Sequence, residues 1–354
     1  MKLNGRVVVA MSGGVDSSVA AALLKERGYE VIGITMCFNL PSTQSKKPGC
    51  CGLEGIEDAR AVACSLGIRH YVLNMGRAFK KYVVDDFCRQ YSLGRTPNPC
   101  ILCNQYIKFG ALLIHALSLK AKYLATGHYA KITCRQGKFF LKKAKDKSKD
   151  QSYFLYRLGQ SQLKHLLFPL GDYTKKEVRV KAGKFGLPTA QKKESQEICF
   201  APQDYPVFLR QYLADIRPGE IVDKLGFVLG RHNGIACYTY GQRRGLGVAK
   251  GYPLYISEIN AADNRLTVGP RAEAMKKTFL LKSPHFVKSR PKKKIAVLAK
   301  IRYNHKESLA YIIPYAKLFK VTFNRPQFAI TPGQGAVFYD RDIVLGGGVI
   351  DKVL

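Results

Sequence analysis

The chain has 354 residues, and at roughly 150 residues per domain that length suggests two or three domains. Hydrophobic residues make up 46%, which supplies material for real cores and excludes a wholly disordered chain. Lys and Arg number 58 against 25 Asp and Glu, and a formal charge of +33 carries a cost in self-repulsion that points to a polyanionic partner.

The opening MKLNGRVVVAMSGGVDSS makes a poor signal peptide, because glycines break the apolar run 7–11 at once. No apolar stretch of about 18 residues is apparent to span a bilayer. The expectation is a chain without a membrane partner, kept in the reducing cytoplasm. Residues 6–10 read as a buried strand, 19–27 as a helix stopped by Gly28, and 31–35 as a second strand. Residues 56–66 read as a helix, 70–73 as a strand and 79–91 as a helix. Beyond a Pro-rich loop, 106–117 is helical and 123–126 a strand. This alternation predicts an α/β fold, a parallel sheet with helices on both faces. Such sheets bind ligands beyond the C-terminal ends of their strands. From about residue 206 turn pairs become frequent, among them Pro218-Gly219 and Asn233-Gly234. Residues 295–303, 309–314, 320–323 and 336–339 then read as short alternating strands of a small β-barrel or sandwich. The basic run 288–294 falls in a turn between strands.

Ser12-Gly13-Gly14-Val15-Asp16-Ser17-Ser18 follows a buried strand and opens a helix. Adjacent glycines let the backbone turn tightly and bring N–H groups towards an anion, to which the helix end and the serine hydroxyls add. The loop is neither a Walker A motif nor GxGxxG. Asp16 is its odd member, since a carboxylate beside phosphates repels them unless a cation such as Mg²⁺ intervenes. The loop resembles the SGGxDS signature of ATP pyrophosphatases, which implies cleavage of ATP between the α and β phosphates and activation of a substrate oxygen as an adenylate. On that resemblance Ala10, Met11, Ser12, Gly13, Gly14, Val15, Asp16, Ser17, Met36 and Gly127 border the nucleotide.

Ten cysteines in a reducing compartment make an unlikely disulfide framework. Cys64 and Cys88 fall in helical patterns and are expected to be buried apolar residues. Cys100, Cys103 and Cys199 sit in loop-like segments. Cys103 lies just before a helix, whose N-terminus favours a thiolate. Two thiols far apart in sequence suit a sulfur relay, one carrying a persulfide and the other resolving it. Zinc is the rival for Cys100 and Cys103, but a ribbon wants a second such pair.

Nearly the whole chain resembles the bacterial tRNA-specific 2-thiouridylase family, through SGGVDSS, TPNPCILCNQYIKFG, ATGHYA, KDQSYFLY, ESQEICF, YGQRRGLGV, KIRYN, TPGQGAVFYDRD and LGGGVI. The resemblance implies that Cys103 is a catalytic nucleophile and that Cys199 carries the persulfide. It implies three domains: 1–205 for ATP and catalysis, 206–274 as a small tRNA-contacting part, and 275–354 as a β-barrel. It also implies tRNA contacts at Asn98, Pro99, Cys100, His128, Lys149, Asp150, Gln151, Arg302, Tyr303 and Gln334. Many members of the family have Asp where this chain has Cys100, which brings a third thiol to the site.

The function expected is ATP- and Mg²⁺-dependent exchange of the C2 oxygen of a wobble uridine for sulfur. The partners are tRNA, through its anticodon loop, and a persulfide donor such as a cysteine desulfurase or sulfur carrier. The alternatives are a small-molecule synthetase with the same loop, an RNA-binding protein with a spent loop, and thiolation through an iron–sulfur cluster on Cys100, Cys103 and Cys199.

Overall fold

Five parallel strands carry the N-terminal part of the computed structural model, which describes residues 4–39, 52–193, 198–201 and 205–354. Contacts divide the chain into two compact units. The first holds Met1–Val83, Cys100–Pro202 and Asp342–Val344; the second holds Val84–Pro99, Gln203–Arg341 and Leu345–Leu354.

In the first unit, β1 (Arg6–Ala10), β2 (Glu30–Cys37), β3 (Arg69–Asn74), β4 (Tyr123–Ala125) and β7 (Leu166–Leu167) lie in the order β3-β2-β1-β4-β7. All four pairings are parallel, as the alternating pattern requires. Val7, Val8 and Val9 at the centre are fully buried. The chain leaves β1 towards β2 and β3 and returns on the other side as β4. That reversal opens a crevice at the C-terminal ends of β1 and β4.

Helix α1 (Val15–Glu26) starts earlier than residue 19. Asp16, Ser17 and Ser18 are poor in a helix interior but suit a first turn, where both serine hydroxyls donate back to the Gly14 carbonyl. Helix α2 (Leu53–Ser65) buries Ile56, Ala59, Val62 and Ala63, while Cys64 faces solvent, contrary to expectation. Cys88 is buried as expected. Cys100 and Cys103 are helical rather than looped: Pro99–Leu102 is α-helical and Cys103–Leu112 π-helical, before Leu113–Ser118. The stretch Pro99–Ser118 is long and apolar enough, by length and composition, to cross a membrane, which corrects the sequence reading. Its Ile101, Ile107, Phe109, Leu112 and Ala116 are buried inside the unit, as in a core helix.

A hairpin that the sequence did not announce, β5 (Ala130–Arg135) and β6 (Lys138–Lys143), follows β4. Its turn residues Gln136 and Gly137 both have positive φ, 48° and 71°.

The second unit contains a four-stranded sheet and a barrel. β8 (Gly219–Val222), β9 (Val228–His232), β10 (Tyr255–Asn260) and β11 (Arg265–Gly269) run in the order β10-β11-β8-β9 over Ile221, Ile256, Leu266 and Val268. The barrel takes β12 (Met275–Phe286), β13 (Ile295–Lys300), β14 (Ser308–Tyr315), β15 (Leu318–Phe328), β16 (Gly335–Asp340) and β17 (Ile343–Val353). Its order is β12-β15-β14-β13-β16-β17, and pairing of β12 with β17 closes it. Three of these strands are long, at 12, 11 and 11 residues, and register shifts mark where β12 bends between its two partners, β15 and β17. The basic run 288–294 lies between β12 and β13, with its four lysines and Arg290 exposed.

Candidate functional site

The 12–18 loop crosses the C-terminal end of β1, in the crevice that the sheet order creates. Gly13 has φ 68°, and a Cβ there would sit 2.3 Å from the Gly55 carbonyl oxygen of α2. Only glycine fits. A Cβ on Gly127, past the end of β4, would lie 2.8 Å from the Ser17 nitrogen. Two glycines thus press two loops together around the first turn of α1. The N-cap of α1 is Gly14, with no side-chain capping bond, so the turn's N–H groups remain for an anion. Ser12 N–H donates to Ser17 Oγ at 3.2 Å, and the two hydroxyls are 3.3 Å apart. These features fit the triphosphate of ATP, whose supply of a good leaving group is the chemistry such a cradle serves. Met36 ends half-buried on β2, Ala10 is half-buried on β1, and Met11 and Val15 are core residues.

Asp16 is half-exposed and already neutralised. Both its carboxylate oxygens accept from Lys175 Nζ at 2.8 Å, and Oδ1 also accepts from the Tyr129 hydroxyl at 2.8 Å. The sequence reading missed both partners. Tyr129 was visible inside the GHY segment, but nothing local says that Lys175 turns towards residue 16. Among the described residues no group of three or more His, Cys, Asp or Glu side chains forms a metal site. A magnesium ion here would therefore be held by phosphate oxygens with Asp16 as its protein ligand, and a cluster on Cys100, Cys103 and Cys199 finds no ready-made ligand set.

Cys103 is buried at the start of the π-helical stretch, and Cys100 is exposed one turn before it. Cys199 is half-buried in a turn closed by the Ala201 N–H on the Ile198 carbonyl. Beside it, buried Phe200 meets Phe79 edge-on, ring centroids 5.5 Å apart, and Phe79 stacks on Phe38 at 3.9 Å. The helix Gly76–Phe79 also packs against Cys103–Leu112. Phe79 thereby anchors the segment of Cys199, and its helix lies against the segment of Cys103, a link that no sequence motif signals. Upstream of Cys199, Lys192 pairs with Asp58 and with Glu54, 3.2 Å away on α2, and Thr189 donates to Ser18 of α1 at 3.1 Å. Residues 194–197, part of the ESQEICF motif, lie outside the described residues.

The expected tRNA contacts are less uniform than the motifs suggest. Asp150 is buried, its carboxylate accepting from Ala144 N, Ser152 N and Ser152 Oγ at 3.0, 3.3 and 2.8 Å. Gln151 exchanges two bonds with the Tyr129 backbone, and Lys149 is half-buried beside them. His128 is buried between Phe109 and Phe168, each 5.8 Å away, with Nδ1 2.6 Å from Thr126 Oγ1. Burial, reinforced by Lys108, pushes its pKa well below the ordinary 6.5. In the second unit Gln334 donates to the Thr96 and Pro97 carbonyls at 3.0 and 3.2 Å, and so holds the strap on which Asn98 and Pro99 sit. Arg302 donates to Tyr240 O at 2.8 Å and to Thr331, while Tyr303 lies half-buried in a turn past β13, under Lys300.

Known proteins resemble this chain over its whole length. Residues 5–203 match the tRNA methyl transferase HUP domain, 207–270 the tRNA methyl transferase PRC-barrel domain, and 276–350 the aminomethyltransferase beta-barrel domain. The tRNA-specific 2-thiouridylase MnmA of Caldanaerobacter subterraneus subsp. tengcongensis is 50% identical over 361 residues, covering 99% of each chain. Its namesake in Halothermothrix orenii is 49% identical, covering 98% of this chain and 99% of its own. A solved 4-thiouridine synthetase–RNA complex with bound ATP shares 19% identity over 60% of this chain and 51% of its own. Its TM-score of 0.38 is too low to bear on the site.

Proposed function

This chain belongs to the tRNA-specific 2-thiouridylase family, and we propose that it exchanges the C2 oxygen of a tRNA wobble uridine for sulfur at the expense of ATP. The observation that carries this is the glycine-lined cradle at the β1/β4 crevice, built in the same unit as Cys103 and Cys199. ATP lies with its phosphates on residues 12–18 and its adenosine bordered by Met36 and Gly127. Asp16 would hold a magnesium ion, which when bound would offset phosphate charge and help pyrophosphate leave. The uridine O2 attacks the α-phosphorus, pyrophosphate leaves, and C2 becomes an adenylated electrophile. The terminal sulfur of a Cys199 persulfide then attacks C2 and AMP departs. The Cys103 thiolate next attacks the Cys199 sulfur, the S–S bond to the transferred sulfur breaks, and 2-thiouridine leaves behind a Cys103–Cys199 disulfide. A cellular thiol reduces that disulfide, and a cysteine desulfurase or sulfur carrier reloads Cys199.

The domains work as 1–205 for activation and transfer, 206–274 and 275–354 for holding tRNA. Asn98, Pro99, Cys100 and His128 belong beside the base. Lys149, Asp150, Gln151, Arg302, Tyr303 and Gln334 shape or touch the RNA path. ATP, tRNA and reducing thiols meet in the cytoplasm, where we place the chain. The charge of +33 suits the phosphates of tRNA and argues against a small-molecule substrate.

The test is mass spectrometry of tRNA nucleosides after incubation with ATP, Mg²⁺ and a persulfide donor. Wild-type protein yields 2-thiouridine, and Cys199→Ser yields none while still releasing pyrophosphate in a tRNA-dependent manner. Full 2-thiouridine from Cys199→Ser would sink the relay. No 2-thiouridine from competent wild-type protein would sink the reading.

A further inference from the structure

The turn that joins β8 to β9 shows its apolar side chains to solvent. It reads Asp223-Lys224-Leu225-Gly226-Phe227 and runs into Val228. Leu225 is 82% exposed, Phe227 67% and Val228 58%. A hairpin turn asks for polar residues and a glycine, and Gly226 supplies the positive φ, 91°. Leu225 and Phe227 do nothing for the turn that a polar residue would not do as well. Exposed apolar residues scattered singly are ordinary, but Leu225, Phe227 and Val228 together make a patch of the kind that marks a contact.

The patch is held rigidly. Asp223 Oδ1 accepts from the Leu225 and Phe227 N–H groups, each at 3.0 Å, and Oδ2 accepts from Lys250 Nζ at 3.0 Å. The Asp223 N–H donates to the Phe227 carbonyl and the Gly226 N–H to the Asp223 carbonyl, both at 3.0 Å. The acid of the turn is thus engaged with the backbone and with Lys250, while Lys224 in the turn and Arg231 on β9 are exposed. Tyr252, two residues beyond Lys250, is exposed as well.

Size and charge select the occupant. So small a tip cannot supply the total of about 1,200 Å² or more that a stable protein interface buries. A second copy of the chain would bring its own excess charge of +33 against the first. An RNA base suits both facts, since stacking needs a single aromatic face and the adjoining phosphates need cations. We propose that the 223–228 turn is an RNA-contacting wedge, in which Phe227 stacks on an exposed base of the tRNA, flanked by Leu225 and Val228, with Lys224 towards the phosphates. The proposal rests on the reading that tRNA is the substrate. It adds a sequence-tolerant contact to the polar ones expected at Arg302, Tyr303 and Gln334, because every base has a π-face. The bonds to Asp223 order the turn in advance, so stacking costs little further entropy.

The chain contains no tryptophan, so Phe227→Trp installs a single fluorophore at the tip. Titrating the full-length variant with unmodified tRNA should quench its emission, saturating at the concentration where labelled tRNA binding saturates by anisotropy. Phe227→Ala should weaken tRNA about tenfold, and Phe227→Trp should keep wild-type affinity. The slope of log affinity against log salt should be the same in Phe227→Ala as in wild type, because no phosphate contact is lost. The melting temperature of Phe227→Ala and its binding of α,β-methylene-ATP should also be unchanged, whereas a merely structural phenylalanine would shift the first. Undiminished tRNA affinity in Phe227→Ala, or emission of Phe227→Trp that ignores bound tRNA, overturns the proposal and leaves the tRNA reading standing. Emission that shifts to the blue with anionic phospholipid vesicles but not with tRNA would assign the tip to a membrane surface, and a shift with protein concentration alone to a second copy. Either result overturns the wedge. Failure of wild-type protein to bind tRNA overturns both the proposal and the reading beneath it.

Discussion

The 12–18 loop and the Thr96–Pro97 strap are both held firmly, but from opposite distances along the chain. In the loop, Ser12, Gly14, Ser17 and Ser18 bond to one another within five residues. In the strap, Thr96 N–H donates to Pro332 O, the Thr96 hydroxyl meets Thr239 at 2.9 Å, and Gln334 caps two carbonyls. Arg95 adds bonds to Ile350 O and to Asp351 at 2.9 and 3.2 Å. A locally closed turn is specified by its own heptapeptide. A strap closed by partners about 240 residues away is specified only once the second unit has folded.

The largest effect should come from Gly13→Ala. It puts a Cβ against the Gly55 carbonyl at a left-handed φ of 68°, and strain and overpacking together suggest a cost of about 3–5 kcal/mol. Binding of α,β-methylene-ATP should be lost, with thermal unfolding of the first unit lowered. Normal binding would show that the loop tolerates what its local geometry forbids. Next comes Asp150→Ala, which strands the Ala144 N–H and both Ser152 donors and should cost about 2–4 kcal/mol. The melting temperature measured without RNA decides the matter. An unchanged value would move Asp150 from the fold to the RNA path.

Legibility in the sequence followed the same division. The parallel sheet, the glycine turn at residues 12–18 and the barrel strands were readable, because each depends on periodicity or on contiguous residues. The β5–β6 hairpin was not, since its Gln136-Gly137 turn lacks the usual Asn-Gly signal. Helix α1 was begun too late because Asp16 to Ser18 look like loop residues until their hydroxyls are seen folding back. Cys100 and Cys103 were read as looped because Pro97 and Pro99 suggest a break, whereas proline is at home in a first helical turn. Lys175 facing Asp16, and Phe79 beneath Phe200, are long-range pairings that no local pattern encodes.

Gln334→Ala tests the strap directly. It leaves the Thr96 and Pro97 carbonyls without that donor and should cost about 1–2 kcal/mol, since carbonyls near a surface regain water. Thiolation should fall more than pyrophosphate release in the same variant, because the strap leads into the helix of Cys100 and Cys103, while the phosphate loop keeps its own bonds. Parallel losses in both steps would erase the distinction between the two regions.

The smallest effect concerns His128, which lies in the turn with Gly127 but depends on remote aromatic rings. Burial among Phe109 and Phe168, with Lys108 adding repulsion, holds its pKa well below 6.5. Below about pH 6.5 the unfolded chain takes up a proton there that the folded chain refuses. Its contribution to stability is therefore complete above that pH and declines as the pH falls through 6.5. His70, His232 and His305 are shifted the same way, chiefly by burial, so the whole chain should lose stability between pH 7 and 5.5. Glu177, held down to about 2 first by the Thr174 backbone N–H and then by Lys145, adds its own loss only at more acid pH. His128→Gln should remove one share of the decline between pH 7 and 5.5, leaving a shallower slope of melting temperature against pH. An identical slope in wild type and variant would mean that the aromatic cage opens to let the imidazole charge, and that this turn is less rigid than the phosphate loop it braces.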